Sequence, residues 1–576
     1  MLKIEGGAVY DPANGVDGAV QDVWVDGGKI VPPPAGDAKP SRVIDARGLV
    51  VMPGGIDMHC HIVGPKVNAA RKMRPDDKRL GREAVERRRA TAGGAPTRSG
   101  PFTRSGTMGS VPSTFATAYK YAALGYTSAF DAAVPPLGAR QAHQELADTP
   151  CLDKGVFVLM GNNRYAMQCL QQDALERLRE YMAWLLRTTK GFAPKLVNPG
   201  GVEVWKQRAS GNVEGLDDPV PGFGLTPRRI IQGLVQAAND LGLPHPTHLH
   251  CNQLGMPGNW STTLDTMRAL EGRKAHLTHI QFHSYGGGGS DGGDRGEEDT
   301  LGSRVGPLAD YVNSHPNVSV DVGQVMFGAT TNMTGDGPLG HFLYNVSRQG
   351  GGPGAKWYCH DTEVESGCGV LPMKYRNKNL FNAIQWAAGL EWYLMVEDPW
   401  RVVMSTDHPN GASFLAYPQL IRLLMDRTYR ADLLKTCPPR LLERSTLADL
   451  DREYTLSEIA IITRAGPARL LGLANKGHLG VGADADITLY TPDANQAVMF
   501  ELPRMVIKAG EVMVEHGEVR AAPTGKTLHV EAPLADDALT AGALADLPEY
   551  FEQHYSVPLE AYGVQDSEVP KAEAVR

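Results

Sequence analysis

The chain has 576 residues, 42 % hydrophobic and 21 % charged, with a formal net charge of −8. That length requires two or more domains or one large barrel with an appended module, and the balance excludes a mostly disordered chain, a coiled coil and a broadly basic nucleic-acid binder. Gly (65) and Pro (40) are abundant without a Gly at every third position, which excludes collagen and points to many ordered turns on an α/β scaffold.

The opening MLKIEGGAVYDP has no basic n-region and no apolar h-region, and no run of 18 apolar residues occurs anywhere, so a cytoplasmic protein without a membrane span is expected. In residues 1–52 the segments LKIEGGAVYD, DVWVDGGKIV and RVIDARGLVVMP alternate apolar and polar residues around Gly and Asp, which predicts short strands. Residues 476–530 carry the same pattern in ADITLYTPD and MVIKAGEVMVEHGEV. Strands at opposite ends of a chain can pair into one small β-sandwich, leaving 53–475 as a single intervening domain.

That middle domain alternates buried-strand runs (GYTSAFDAA, GVFVLMG, APKLVNPG, PTHLHCN, AHLTHIQFHS, VSVDVGQVMF, WRVVMSTDH) with helical runs such as DALERLREYMAWLLRTT and PRRIIQGLVQAANDLG. Sustained alternation of this kind predicts a parallel sheet. Several of the strands end in His, Lys or Asp, which favours a (β/α)8 TIM-like barrel whose site lies at the strand C-termini. A doubly wound sheet would carry a Gly-rich fingerprint after its first strand, and none is present. Residues 66–118 form an insertion rich in Arg, Gly, Ser and Thr, read as a solvated segment or as a flap for an anionic partner. Residues 286–298 form a Gly-rich loop with no helix directly behind it, and 531–576 form an acidic tail. The seven Cys include no CxxC pair, so no iron–sulfur cluster is expected.

The chemistry begins at PGGIDMHCHI. His59 and His61 alternate on the first barrel strand, so both rings share one face, and imidazole suits zinc. Lys195 lies in the apolar strand of APKLVNPGG, where a buried ammonium is costly unless it is paired or converted by CO2 into an anionic carbamate. His248 and His250 share a face in PTHLHCNQ. His250 ends its strand and is the better ligand, His248 being deeper, although the sequence leaves the two open. His279, between His276 and His283, holds the comparable place in the next strand. Asp407 ends the Val-rich strand of VVMSTDHPNG. Two metal ions held by such a set activate water and polarise a carbonyl.

The set HxH, Lys, His, His, Asp in strand order resembles the amidohydrolase superfamily, as does the return to the sandwich in GHLGVGADADITLY. Within it, GPKVNAARKMRPDD, SGTMGSVPSTFATAYKYAALGYT, LMGNNRYAM, KLVNPGG, HLHCNQLG and MSTDHPNG resemble the A-type subunits of formylmethanofuran dehydrogenase and of the formyltransferase/hydrolase complex of methylotrophic bacteria. The resemblance covers about 1–530 and implies two Zn2+ held by His59, His61, carboxylated Lys195, His250, His279 and Asp407. Asp407 would also shuttle the proton. It departs from many superfamily members in having Cys251-Asn252 after the fifth-strand His.

The implied reaction is hydrolysis of an N-formyl amide on a furan-based amine carrier, releasing formate, in a complex with B, C and D type subunits. A cation would help bind formate, and Arg304 is the candidate. The reverse reaction, in a dehydrogenase, is the alternative. Arginine outnumbers lysine, a bias that follows GC-rich genomes, and this leans the reading towards the bacterial hydrolase. A stand-alone cyclic-amide hydrolase of the dihydroorotase or hydantoinase kind would use the same ligands, but the insertion and the tail argue for a member of a larger complex. A metal-less scaffold would be expected to have lost ligands, and all six types are present.

Overall fold

A computed structural model describes residues 1–35, 39–73, 110–207, 211–287, 301–340, 343, 358–359, 369–555 and 558–576. Most of the insertion 66–118 and of the loop 286–298 lies outside the described residues.

Among the described residues, eight parallel strands form the barrel. They are Gly55–Cys60, Tyr126–Val134, Asp153–Leu159, Ala193–Val197, Thr247–His250, Ala275–Leu277, Val318–Asp321 and Val402–Val403. Each hydrogen-bonds to the next. The ring closes just beyond the eighth strand, where Cys60 bridges His408 in parallel and the His61 N–H donates to the His408 carbonyl at 2.8 Å. All eight strands are buried throughout, as expected when helices cover the outer face of a parallel sheet. The helix Pro227–Asp240 is typical. Thr226 caps it by accepting the Arg229 N–H, Pro227 opens it, and Ile230, Ile231, Leu234, Val235 and Ala238 form its buried face.

The barrel interior is layered. Its floor is apolar, with Ile56, Met58, Phe130, Phe157 and Phe192 in one cluster. Above it lies a ring of buried polar side chains, and the ligand candidates stand at the strand C-termini.

The two chain ends join in one nine-stranded sheet. Its centre is the antiparallel pair Val50–Pro53 and Ile487–Tyr490, and Leu2–Asp11, Val16–Asp26 and Met505–Lys508 extend it. Ile4, Val9, Val25, Val51, Ile487 and Ile507 form its separate core. The alternation places 527–530 in this sheet, but the structure does not. Thr527–Val530 pairs in parallel with Ala572–Val575 and touches the third barrel strand at Lys154. The physical reason is burial: Leu528 and Val530 enter the apolar barrel floor. The acidic tail is likewise packed, and its helix Leu547–His554 buries Leu547, Tyr550 and Phe551 in the main core.

A small antiparallel sheet follows the seventh strand. Gly328–Thr334 and Tyr358–Cys359 flank Gly369–Tyr375. The helix Pro65–Met73 packs on it through Val67 and Ala70 against Met333 and Val370. This insert sheet stands over the strand C-termini. Among the described residues, no helix is long and apolar enough to cross a membrane.

Candidate metal centre

His59 and His61 point from the first strand to the same spot at the barrel mouth. Each Nε2 lies 3.0 Å from Asp407 Oδ1, which comes from the turn after the eighth strand. Three ligand-type atoms thus meet within one ion's reach. Lys195, His250 and His279 line the same cavity as these three residues. The structure therefore brings together His59, His61, Lys195, His250, His279 and Asp407.

Their donor atoms are left open. His59 Nε2, Lys195 Nζ, His279 Nδ1 and Asp407 Oδ1 are buried and have no hydrogen-bond partner, although His59 Nε2 and Asp407 Oδ1 are in close contact. Buried polar atoms ordinarily find partners, because leaving one unpaired costs about 1–3 kcal/mol. Donor atoms lining one cavity with no hydrogen-bond partner, beside a carboxylate oxygen shared by two imidazoles, are what bound cations would satisfy. The donor set of imidazole nitrogens with a carboxylate oxygen also suits zinc. The residues present therefore fit a metal site.

The outer atoms of the same side chains are held. His59 Nδ1 lies 2.9 Å from His248 Nε2 and 3.2 Å from Asp321 Oδ2, and it also meets the Thr278 hydroxyl. Asp131 accepts the Ile62 and Val63 N–H groups and stands 3.9 Å from His61 Nδ1. Asp57 accepts the hydroxyls of Tyr121 and Tyr417, each at 2.6 Å, and the His59 N–H. His250 Nε2 faces Asp336 Oδ2 at 3.2 Å. Such outer partners fix ring orientation and tautomer in metal sites.

His248 and His250 are now distinguished. His248 is fully buried between His59 and His245, with His245 Nε2 at 3.0 Å from its Nδ1. It belongs to the polar ring beneath the site together with His276, whose Nε2 lies 3.2 Å from Asp321 Oδ2. His250 faces the cavity.

Electrostatics match the geometry. Burial pushes the Lys195 amine down to about 7. A sizeable neutral fraction follows, and only a neutral amine can react with CO2. Burial also pushes His250 and His279 below the usual imidazole value, leaving neutral rings with lone pairs. Burial opposes ionisation of Asp407, yet His59 and His279 hold its carboxyl well below the usual range. At His59 burial pushes downward most strongly, and the carboxylates of Asp321 and Asp407 together raise the ring above its usual value. A positive charge is favoured there, and a metal cation would take the proton's place.

Two of the site residues hold unusual backbone. His279 (φ 36°) and Asp407 (φ 50°) are left-handed, a conformation uncommon for residues other than Gly, and one that clusters where function fixes a side chain. Gly323 lies against both. A Cβ there would stand 2.3 Å from His279 Cβ and 3.5 Å from Asp407 Cβ. Only Gly lets the seventh-strand loop pass so close to two ligand candidates.

Arg304 is not brought to this site. It is exposed at the cap of the helix Val305–Ser314 and is not among the residues lining the cavity. Its segment joins the loop after the sixth strand to the helix Val305–Ser314, where Ser303 pairs with Tyr285. Sequence reasoning passed over Asp131, Asp321 and Asp336. Asp321 carried a signal, since it ends an apolar strand in VSVD as Asp407 does in its own. Asp336 carried none, because the insert lies outside the strand–helix alternation.

The Amidohydrolase family profile matches residues 42–514. Protein FwdA of Methanocaldococcus jannaschii is 42 % identical over 582 residues, covering 98 % of this chain and 96 % of that protein. The A-type subunit of the formyltransferase/hydrolase complex Fhc of Methylorubrum extorquens is 37 % identical, covering 99 % of this chain and 98 % of that one. Among solved structures, a chain of the formyltransferase/hydrolase complex FhcABCD from Methylorubrum extorquens, in complex with methylofuran, superposes with a TM-score of 0.86 at 36 % identity, covering 100 % of this chain and 99 % of that one. The chain belongs to the amidohydrolase family, and within it is similar over its whole length to Protein FwdA and to the A-type Fhc subunit.

Proposed function

We propose that this chain is the hydrolytic, A-type subunit of a formyltransferase/hydrolase complex, cleaving the N-formyl amide of a methylofuran-type carrier amine to formate and the free amine. The observation that carries the reading is the meeting of His59, His61 and Asp407 within one ion's reach, in a cavity that Lys195, His250 and His279 also line, at the mouth of an amidohydrolase barrel. His59, His61, Lys195 in carboxylated form, His250, His279 and Asp407 would hold two Zn2+. Bound there, the metal ions would lower the pKa of water and polarise the formyl oxygen.

The chain's own residues do the rest. Lys195 reacts with CO2 as its neutral amine, losing one proton and gaining a carbamate anion, which removes the cost of a buried unpaired cation. Asp407 is anionic at neutral pH and is fixed by Asn410 Nδ2, which donates to its Oδ2 at 2.9 Å. Its Oδ1 faces the reacting centre, takes the proton from the attacking water and returns it to the departing amine. The walls above the site are largely apolar, with Val197, Leu254, Phe282, Leu339, Met373 and Phe381, while Asn332, Thr334, Tyr375 and Gln385 supply polar groups. A small uncharged formamide with an apolar ring behind it suits such walls, which also limit bulk water.

Similarity to FhcABCD and to the A-type Fhc chain supports an assembly with further subunits and a formylated furan-amine substrate. The reverse reaction is a second reading, since the same atoms serve condensation of formate with the amine. Formate release from formylated carrier, measured together with zinc content on the assembled complex, tests the proposal. Asp407→Asn is expected to lower turnover by about 10²–10⁴-fold while the fold is retained. An active Asn variant, or a zinc-free wild type, would sink the reading. Identifying the co-purifying chains separates the two directions: a molybdopterin-bearing partner would favour condensation.

A further inference from the structure

The insert sheet meets the metal-ligand set at two separate places. At the first, Asp336, in the turn after Gly328–Thr334, places Oδ2 3.2 Å from His250 Nε2. Its Oδ1 accepts Asn198 Nδ2 at 3.0 Å, and its N–H donates to Thr334 Oγ1 at 2.8 Å. Asn198 directly follows the strand that carries Lys195, and its own Oδ1 accepts Asn252 Nδ2 at 2.8 Å. A Cβ on the neighbouring Gly337 would strike the Trp205 ring at 2.3 Å, so this turn is seated tightly on the barrel rim.

At the second place, the Met333 N–H donates to Asn410 Oδ1 at 2.6 Å, while Asn410 Nδ2 donates to Asp407 Oδ2. Tyr375, on the adjacent insert strand, donates its hydroxyl to the Asn410 carbonyl at 3.0 Å. Asp336 is 1 % exposed and Asn410 5 %.

A carboxylate can only accept, so Asp336 requires the proton on His250 Nε2. That leaves Nδ1 as the ring atom able to bind a cation. Asn410 likewise occupies one oxygen of Asp407 and leaves the other for the site. Both constraints come from, or are braced by, a segment that is no part of the barrel. Met333 and Thr334 of the same segment line the substrate cavity.

We infer that the insert sheet is a clamp on the metal ligands, with Asp336 the positioning residue for His250 and the Met333–Asn410 contact the positioning element for Asp407. Metal retention and the seating of the insert are then one coupled property. Whatever loosens the sheet releases metal, and metal removal loosens the sheet, by the reciprocity of linked equilibria. The inference rests on the metal-centre reading above and adds to it a part for a segment outside the barrel.

The test uses the full chain and reads zinc, not turnover. Zinc is measured by elemental analysis during dialysis against a chelator of graded strength. Hydrogen exchange of 328–334 and 369–375 is followed in the wild type with and without zinc. Asp336→Ala is expected to weaken zinc retention by about 10–100-fold. Asp336→Asn keeps an oxygen for the His250 Nε2–H but loses the bond from Asn198, and should lose only about threefold to tenfold. The wild-type insert amides should exchange faster once zinc is stripped.

Zinc retention in Asp336→Ala equal to that of the wild type would overturn the clamp, as would an Asn variant no better than the Ala variant. Insert exchange indifferent to zinc would overturn it even if Asp336→Ala fails to fold. A wild-type chain that holds no zinc at all would instead overturn the underlying metal reading, and the clamp with it.

Discussion

The molecule buries charged side chains at both ends of its barrel, and the two places follow opposite rules. At the seam between barrel and terminal sheet, Lys508 Nζ lies 2.6 Å from Asp153 and 2.7 Å from Asp486, and Lys476 lies 2.8 Å from Asp484 and 3.0 Å from Asp486, with Asp153 closer still. Lys526 and Lys29 complete the set on Asp484. Asp153, Asp484 and Asp486 lie close enough together to suggest a metal site, but the two ammonium groups already occupy it. At the mouth, the corresponding lysine is Lys195, whose amine has no hydrogen-bond partner among the described residues; His279 Nδ1 is open as well, and one oxygen of Asp407 is all that faces both His59 and His61. A buried polar cluster that satisfies itself holds the fold together. One that leaves its atoms unpaired awaits a ligand.

The same substitution made at both lysines would break the comparison if it were wrong. Lys195→Met removes an unpaired buried amine and replaces it with an apolar chain of similar length. It should lower formate release by at least about 100-fold through loss of the carbamate ligand. The metal-free chain should unfold at the same temperature as the wild type or above it, since nothing is left uncompensated. Lys476→Met removes the one buried ammonium shared by Asp153, Asp484 and Asp486, leaves those carboxylates under-neutralised, and should cost about 3–5 kcal/mol in denaturant unfolding, while zinc content in the surviving folded fraction stays normal. Loss of stability at Lys195, or its absence at Lys476, would erase the distinction.

Metal removal sharpens it further. A bound ligand stabilises by an amount set by its concentration relative to Kd, about 2.7–4.1 kcal/mol at 100–1,000 times Kd. Stripping zinc with a chelator should therefore lower the melting temperature of the wild type but leave that of Lys195→Met nearly unmoved. Acid acts at the other end. The lysines at the seam hold the Asp153 and Asp484 carboxyls well below the usual range, against the effect of burial. With folded pKa values depressed, their stabilisation is complete above the unfolded value of about 4 and is lost as pH falls below it. Unfolding followed from pH 7 downward in metal-free protein should show a gradual decline below about pH 6.5, from the buried neutral imidazoles, and an added steep drop beginning near pH 4 from the seam. A profile with no added steepening near pH 4 would contradict the seam's role.

Much of this was legible in the sequence, for reasons that can be named. The barrel strands read as continuous apolar runs because both their faces are buried, and the polar residue closing each run marked the mouth. His59 with His61, and Lys195, His250, His279 and Asp407, stood out because a charged or imidazole side chain at the end of such a run is costly without a purpose. The layer beneath did not stand out: Asp321 reads as one more strand-end carboxylate, and only the fold shows His59, His248 and His276 gathered on it. Asp336 was illegible because its partner His250 lies 86 positions away and its own segment has no periodicity. Residues 527–530 were misplaced because an alternating strand carries no label for the sheet it will join.

The smallest expected effect concerns Arg304. If a cation bound formate from that position, its loss would raise KM or slow product release. The structure places Arg304 exposed at a helix cap, where its backbone N–H, at 2.8 Å from the Ser284 carbonyl, makes a bond that any residue but Pro would keep. Substitutions at exposed positions usually stay within about 0.5 kcal/mol, which is roughly a twofold change. Arg304→Ala should therefore leave zinc content, kcat and KM for the formylated carrier within about twofold of the wild type. A tenfold rise in KM with kcat unchanged would instead show that Arg304 reaches the substrate from the connection after the sixth strand.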